Sequence, residues 1–153
     1  MSCRKPKHSV IVDVSVGEGT HIWDHVNLYK CRIGRNCKIH PFVYIEQDVV
    51  IGDDCKIQAF AGIGRGTRIG NRVHIGPQAI IANVKHPYVD RVEIEPSTIE
   101  DDVAIGASAV ILPGITVKRG AIVGAGAVVT RDVPPHTTVV GNPAKALRKR
   151  RRT

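Results

Sequence analysis

One side chain able to move a proton near neutral pH stands where chemistry is easiest to arrange. It is His86, set before Pro87 in the stretch Asn83-Val84-Lys85-His86-Pro87-Tyr88-Val89-Asp90-Arg91, which has loop composition. Imidazole titrates within the physiological range, so a histidine there suits general base catalysis. A hydroxyl nucleophile needs such a base when it attacks a carbonyl. An amine needs less, because the free amine attacks directly once its ammonium form has lost a proton. The plainer alternative for His86 is a solvated loop residue. His40 and His74 invite a metal reading, but no His-x4-His accompanies them and a zinc site requires three convergent ligands, so no metal is expected. The four cysteines, Cys3, Cys31, Cys37 and Cys55, include no CxxC pair and read as reduced, mostly buried thiols. Gly62-Ile63-Gly64-Arg65-Gly66 and Gly124-Ala125-Gly126 look like phosphate-cradling loops, yet no strand-to-helix transition follows either.

The elements that must position these residues are announced by a period of six. Aliphatic side chains recur at Ile33, Ile39, Ile45, Ile51, Ile57, Ile63, Ile69, Ile75 and Ile81. An earlier frame runs Val10, Val16, Ile22, Leu28, and a later one Ile99, Ile105, Ile111, Val117, Val123, Val129. Four residues after each comes a second small or apolar column, including Cys37, Val43, Val49, Cys55, Ala61 and Thr67. Glycine follows the aliphatic directly at Gly17, Gly34, Gly52, Gly64, Gly70, Gly76, Gly106 and Gly124. No helix has this period. A short strand plus a tight corner does, with one large side chain inward from the strand and a smaller one filling the corner. Three such units make a triangular coil, and coils stack as parallel strands about 4.8 Å apart. The expected fold is all-β, a left-handed parallel β-helix of about six coils over residues 1–140. It carries one extruded loop at about 83–98, and residues 141–153 form a capping extension and basic tail. Phe42 and Phe60 should stack, and Cys37, Cys55 and Val73 should share one inward corner column. The step from Leu28 to Ile33 is one residue short, which implies a tightened corner near Cys31.

The charge is +8, but Lys145, Arg148, Lys149, Arg150, Arg151 and Arg152 carry six of those charges near the C-terminus, leaving about +2 elsewhere. No aromatics are interleaved with that run as a base-stacking platform requires, so nucleic acid is not an expected partner. No apolar signal stretch or membrane-span-length run is visible, and a cytoplasmic protein is expected. Flat outer faces would be covered if three prisms packed side by side, which makes a homotrimer the expected assembly.

The hexads, together with Ile105-Gly106-Ala107-Ser108-Ala109-Val110, Val123-Gly124-Ala125-Gly126-Ala127-Val128-Val129 and Val140-Gly141-Asn142-Pro143-Ala144-Lys145, resemble the hexapeptide-repeat acyltransferases. A narrower likeness lies in His21-Ile22-Trp23-Asp24-His25-Val26, Asp48-Val49-Val50-Ile51-Gly52, Lys56-Ile57-Gln58, Gly76-Pro77 and Ala82-Asn83-Val84. These resemble the N-acetyltransferases that move acetyl from acetyl-CoA to an amino sugar on a nucleoside diphosphate, UDP or dTDP, for surface polysaccharides. That resemblance implies that Asn83 holds or polarises the amino group, with His86 as an optional proton acceptor. It implies substrate contacts from Trp23, His25 and Gln58. It further implies acetyl-CoA contacts at Gly106, Ala107, Gly124 and Ala125, with Lys145 and Arg148 near its phosphates. One departure stands out: the subfamily's loop reads Asn-Val-x-Asn-Pro, and this one reads Asn83-Val84-Lys85-His86-Pro87. A His-Pro there resembles the sugar O-acetyltransferases, whose loop histidine is the general base. A non-enzymatic β-helix assembly subunit is the remaining alternative.

Overall fold

A two-residue strand cannot satisfy its own peptide groups, so each rung of a hexad solenoid must bond to the coils above and below it. The computed structural model describes residues 6–86 and 92–147 and shows this arrangement throughout. The chain is all-β, wound as a left-handed β-helix of about seven turns, with no helix among the described residues. No helix is long and apolar enough to cross a membrane. The first face stacks Val10–Val12, Asn27–Tyr29, Tyr44–Ile45, Gly62–Ile63, Ile80–Ile81, Val110–Ile111 and Val128–Val129. The second stacks Ser15–Val16, Arg32–Ile33, Val50–Ile51, Arg68–Ile69, Thr98–Ile99 and Thr116–Val117. The third begins at His21–Ile22, runs through Lys38–Ile39, Lys56–Ile57, His74–Ile75, Ala104–Ile105 and Ile122–Val123, and ends at Thr138–Val140. Seven rungs on the first face make one coil more than the sequence expectation, because the hexads from Val10 onward are already paired.

Register reports where the repeat is broken. Partners are seventeen residues apart in the first coils, as in Ser15↔Arg32 and Asn27↔Tyr44, and eighteen apart from Arg32↔Val50 onward. The missing residue is absorbed beside the buried Cys31, where Lys30 takes a φ of 44°. Across the loop the spacing jumps to thirty, as in Ile80↔Val110 and Arg68↔Thr98, so twelve residues are extruded without disturbing the ladder on either side. After Val140 the chain reverses, and Lys145–Ala146 pairs antiparallel with Thr138–Val140.

The lumen is one continuous aliphatic column. From Leu28 to Val129 the inward aliphatics are all buried, and the corner column from Cys37 through Ala61, Ala79 and Ala109 to Val133 is buried with them. Each fully buried isoleucine removes enough apolar surface to contribute about 1.5–3 kcal/mol. The first coil departs from this: Ile11, not the expected Val10, pairs with the inward Leu28, so Val10 faces outward beside Asn27, and Val16 is 42% exposed although it pairs with the inward Ile33. Cys37 and Cys55 occupy neighbouring corners as free thiols, hydrogen-bonded to the Gly52 and Gly70 carbonyls at 3.1 Å. Burial pushes the Cys31 thiol up to about 11.

Candidate functional site

The loop leaves the coil at Asn83 and is anchored at its root. Ala82 N–H bonds the Ile111 carbonyl at 2.9 Å, and Glu95 N–H bonds the Asn83 carbonyl at 2.8 Å. Val84 and Ile94 form an antiparallel bridge, so the outgoing and returning limbs brace each other. Gly114 N–H then holds the Glu95 carbonyl at 2.9 Å, and the fully buried Ser97 re-enters the lumen column. Asn83 lies directly on Gly64 of the coil before it: a Cβ at position 64 would come within 2.8 Å of both Asn83 Cγ and the Ile81 carbonyl oxygen. Only glycine leaves room for Asn83 in this place.

Against this root opens a cleft of about 510 Å³, lined by Asn27, Tyr29, Tyr44, Glu46, Arg65 and Asn83 among others, with Val84 and Ile94 as its apolar wall. The half-buried Glu46 organises it. Its Oε2 accepts from Asn83 Nδ2 at 2.9 Å and from the Arg65 backbone N–H at 2.7 Å, and the Tyr44 hydroxyl donates to Oε1 at 3.3 Å. The Arg65 guanidinium is turned aside, its Nε on Asp48 Oδ2 at 3.1 Å. Burial first, then Glu46, raises the Tyr44 phenol, which stays a proton donor. Glu46, Tyr44 and Arg65 were not singled out from the sequence. One signal for Glu46 was present: it follows the inward Ile45 directly, a position that glycine takes in eight hexads.

The other expected site residues lie elsewhere. His86 is exposed on the outgoing limb and does not line the cleft, while Pro87 and Arg148 fall outside the described residues. Trp23, His25 and Gln58 lie together on the edge between the third and first faces. Trp23 stacks on His40 at 4.5 Å and meets His21 edge-on at 4.0 Å. His25 belongs to a second column of flat rings on the same edge, His8, His25, Phe42 and Phe60, with centroids 5.3, 5.0 and 4.8 Å apart. The expected stacking of Phe42 on Phe60 is part of this column. Gln58 Nε2 sits 3.3 Å from His74 Nε2. Burial first, then Lys56, holds both His40 and His74 below the ordinary imidazole value. His40 Nε2 is a buried polar atom without a partner.

The turns expected to meet the cosubstrate continue down that same edge. Gly76, Gly106 and Gly124 stack so closely that a Cβ on Gly76 would meet Ala107 N at 2.6 Å, and one on Gly106 would meet Ala125 N at 2.5 Å. Coil contact therefore accounts for these glycines. Lys145 is exposed on the terminal strand, beside a smaller cleft of about 290 Å³ at the C-terminal end. Asn83 sits on a different edge, between the first and second faces. The candidate residues thus fall on two different edges of the prism.

Comparison with known proteins places these features in context. The family described as bacterial transferase hexapeptide (six repeats) matches residues 30–65 and 48–83, and hexapeptide repeat of succinyl-transferase matches residues 96–131. The 2,3,4,5-tetrahydropyridine-2,6-dicarboxylate N-acetyltransferase of Staphylococcus aureus (strain bovine RF122 / ET3-1) is 51% identical over 80 residues, covering 52% of this chain and 32% of that protein. The chain thus spans only about a third of that relative's length. Among solved structures, a hexapeptide-repeat-containing acetyltransferase of Vibrio cholerae, complexed with acetyl coenzyme A, is 32% identical with a TM-score of 0.69, covering 76% of this chain and 69% of that one. PerB of Caulobacter crescentus, in complex with CoA and GDP-perosamine, is 26% identical with a TM-score of 0.50, covering 92% of this chain and 55% of that one.

Proposed function

The chain belongs to the hexapeptide-repeat acetyltransferase family, and from that premise we propose that it transfers acetyl from acetyl-CoA to the amino group of a nucleotide-linked amino sugar. The observation that carries this reading is the Asn83 amide held by Glu46 at the root of the extruded loop. The cleft there is lined by hydrogen-bond acceptors and by the flat faces of Tyr29 and Tyr44, an arrangement suited to an amine-bearing ring. The amine attacks the thioester carbonyl, a C–N bond forms, the C–S bond breaks, and the CoA thiolate leaves. Backbone N–H groups beside the oxyanion and a fixed amine suffice for this without a strong base.

Among the relatives one is named an N-acetyltransferase of a dicarboxylate, and another is solved with CoA and a GDP-sugar. We favour the nucleotide sugar. A dicarboxylate would bring a second carboxylate close to Glu46, whereas a nucleotide sugar keeps its phosphates at a distance from the reacting amine. Sugar O-acetylation through His86 is the second reading, and the exposed position of His86 away from the cleft lining weighs against it.

We also propose a homotrimer. The Asn83 edge and the Gly106–Gly124 edge belong to different corners of one prism, and a neighbouring copy laid alongside brings one to the other. A cytoplasmic location belongs to the same proposal, because that is where acetyl-CoA and nucleotide sugars would be met.

The test is direct transfer. The protein is incubated with acetyl-CoA and a panel of UDP-, dTDP- and GDP-linked amino sugars, with tetrahydropyridine dicarboxylate alongside, and products are read by mass. Acetylation of an amino sugar supports the proposal. Turnover of the dicarboxylate alone, or of sugar hydroxyls alone, overturns it.

A further inference from the structure

We propose that Glu46 is a positioning residue: by taking the NH2 of Asn83, it turns the Asn83 carbonyl into an acceptor toward the cleft and makes the cleft select an amine over a hydroxyl. This rests on the reading of the cleft as the amine site. The argument begins with hydrogen-bond capacity. A carboxylate only accepts, whereas a carboxamide has one accepting and one donating end. Glu46 Oε2 lies 2.9 Å from Asn83 Nδ2, and turning the amide over would set its oxygen against the carboxylate. The Asn83 side chain cannot swing away in compensation on the coil side, because its Cβ and Cγ rest on Gly64. Glu46 is itself held by the Arg65 backbone N–H at 2.7 Å and by the Tyr44 hydroxyl at 3.3 Å, so its orientation is set from two sides.

The lining that results is acceptor-rich and negative at the point where Asn83 meets the cleft. An incoming ammonium offers three N–H donors and a positive charge, and both are favoured there. A hydroxyl offers one donor, and its lone pairs face the acceptors Asn83 Oδ1 and Glu46. After binding, the ammonium releases one proton to solvent, and its nitrogen attacks the thioester. The second proton leaves as the amide forms, and the departing thiolate is protonated from solvent. A glutamine at 46 would still accept from Arg65 N–H, but it lacks the charge and its own NH2 can face Asn83, so the amide is free to turn.

The experiment compares the wild type with Glu46→Gln by calorimetry, using the amino sugar nucleotide of the panel that the wild type binds most tightly and the same nucleotide sugar with a hydroxyl in place of the amine. The wild type should bind the amine at least about tenfold more tightly. Glu46→Gln should bring the two affinities within about threefold, with acetyl-CoA affinity and thermal midpoint unchanged. In turnover the loss should fall on the KM of the amine rather than on kcat. An unchanged amine-to-hydroxyl ratio in the variant overturns the proposal while leaving N-acetyl transfer standing. Amine preference lost in the variant, from a wild type that binds but does not transfer, supports the role of Glu46 and overturns the transferase reading instead. No preference in the wild type, with either nucleotide of the sugar, overturns the role of Glu46.

Discussion

Asn83 and Glu46 are thirty-seven residues apart in the chain and joined by a 2.9 Å hydrogen bond. Two complete turns of the solenoid separate them in sequence, and the stacking of those turns brings both to one edge. Gly64 beneath it and the Glu95 N–H on its carbonyl hold Asn83 at the loop root, where the Val84–Ile94 bridge joins the two limbs.

Asn83→Ala is expected to lower kcat/KM for the amine by about a hundredfold, the loss typical of one preorganised polar group at a reacting centre. Acetyl-CoA affinity, measured by calorimetry, should not change. Full activity in this variant would remove Asn83 from the site.

Gly64→Ala tests the packing that seats Asn83. A methyl there meets the Ile81 carbonyl oxygen and Asn83 Cγ at 2.8 Å, so the variant should lose about 1–3 kcal/mol in urea unfolding. The amine KM should rise as well, because Asn83 must move outward. A variant as stable and as active as the wild type contradicts the geometry.

His86→Ala should keep most of the amine-acetylating activity, since His86 is exposed and does not line the cleft. Steady-state kinetics decides the matter: a turnover loss of about a thousandfold or more, with acetyl-CoA affinity intact, would establish obligatory base catalysis and favour the O-acetyltransferase reading.

Stability should depend on pH through His40 and His74. Both are held below their ordinary value of 6.5 in the folded chain, by burial and then by nearby lysine charge. Between the folded and unfolded values the unfolded chain binds more protons, so stability rises with pH across that window. The contribution is complete above about 6.5 and is lost as pH falls toward the folded values. Asp102, held low by its hydrogen bond to Arg72, acts in the same direction in a lower window: its stabilisation is present above 3.8 and is lost only as pH falls through its folded value. The thermal midpoint should therefore drop by about a few degrees between pH 7.5 and pH 5.5, and the drop should shrink in a His40→Gln/His74→Gln double variant.

The lumen sets a contrast between coils. Ile57→Ala removes a fully buried side chain and should cost about 2–5 kcal/mol, whereas Val16→Ala, at an exposed inward position of the first coil, should cost less than about 1 kcal/mol. Equal losses in chemical denaturation would contradict the open first coil.

Much of the architecture was readable from side-chain spacing. The inward isoleucines from Ile33 to Ile111, the short corner at Cys31, the stacked Phe42 and Phe60, and the excursion after Ile81 all follow from counting in sixes. Counting missed the first coil, where the register turns Ile11 inward in place of Val10 and leaves Val16 exposed. The cleft was half legible. Asn83 came from a motif, whereas Glu46, Tyr44 and Arg65 have no motif and acquire meaning only by lying beside it.

By itself the sequence determined a solenoid, because a strict period imposes the same local geometry at every repeat and each rung can satisfy its backbone only by stacking on the next. Only the tertiary structure decided which outward side chains meet. Residues eighteen or thirty apart become neighbours 4.8 Å or so away once the coils stack, and a linear reading has no physical way to see that the carboxylate facing Asn83 is Glu46, or that the remaining candidates gather on a different edge of the prism.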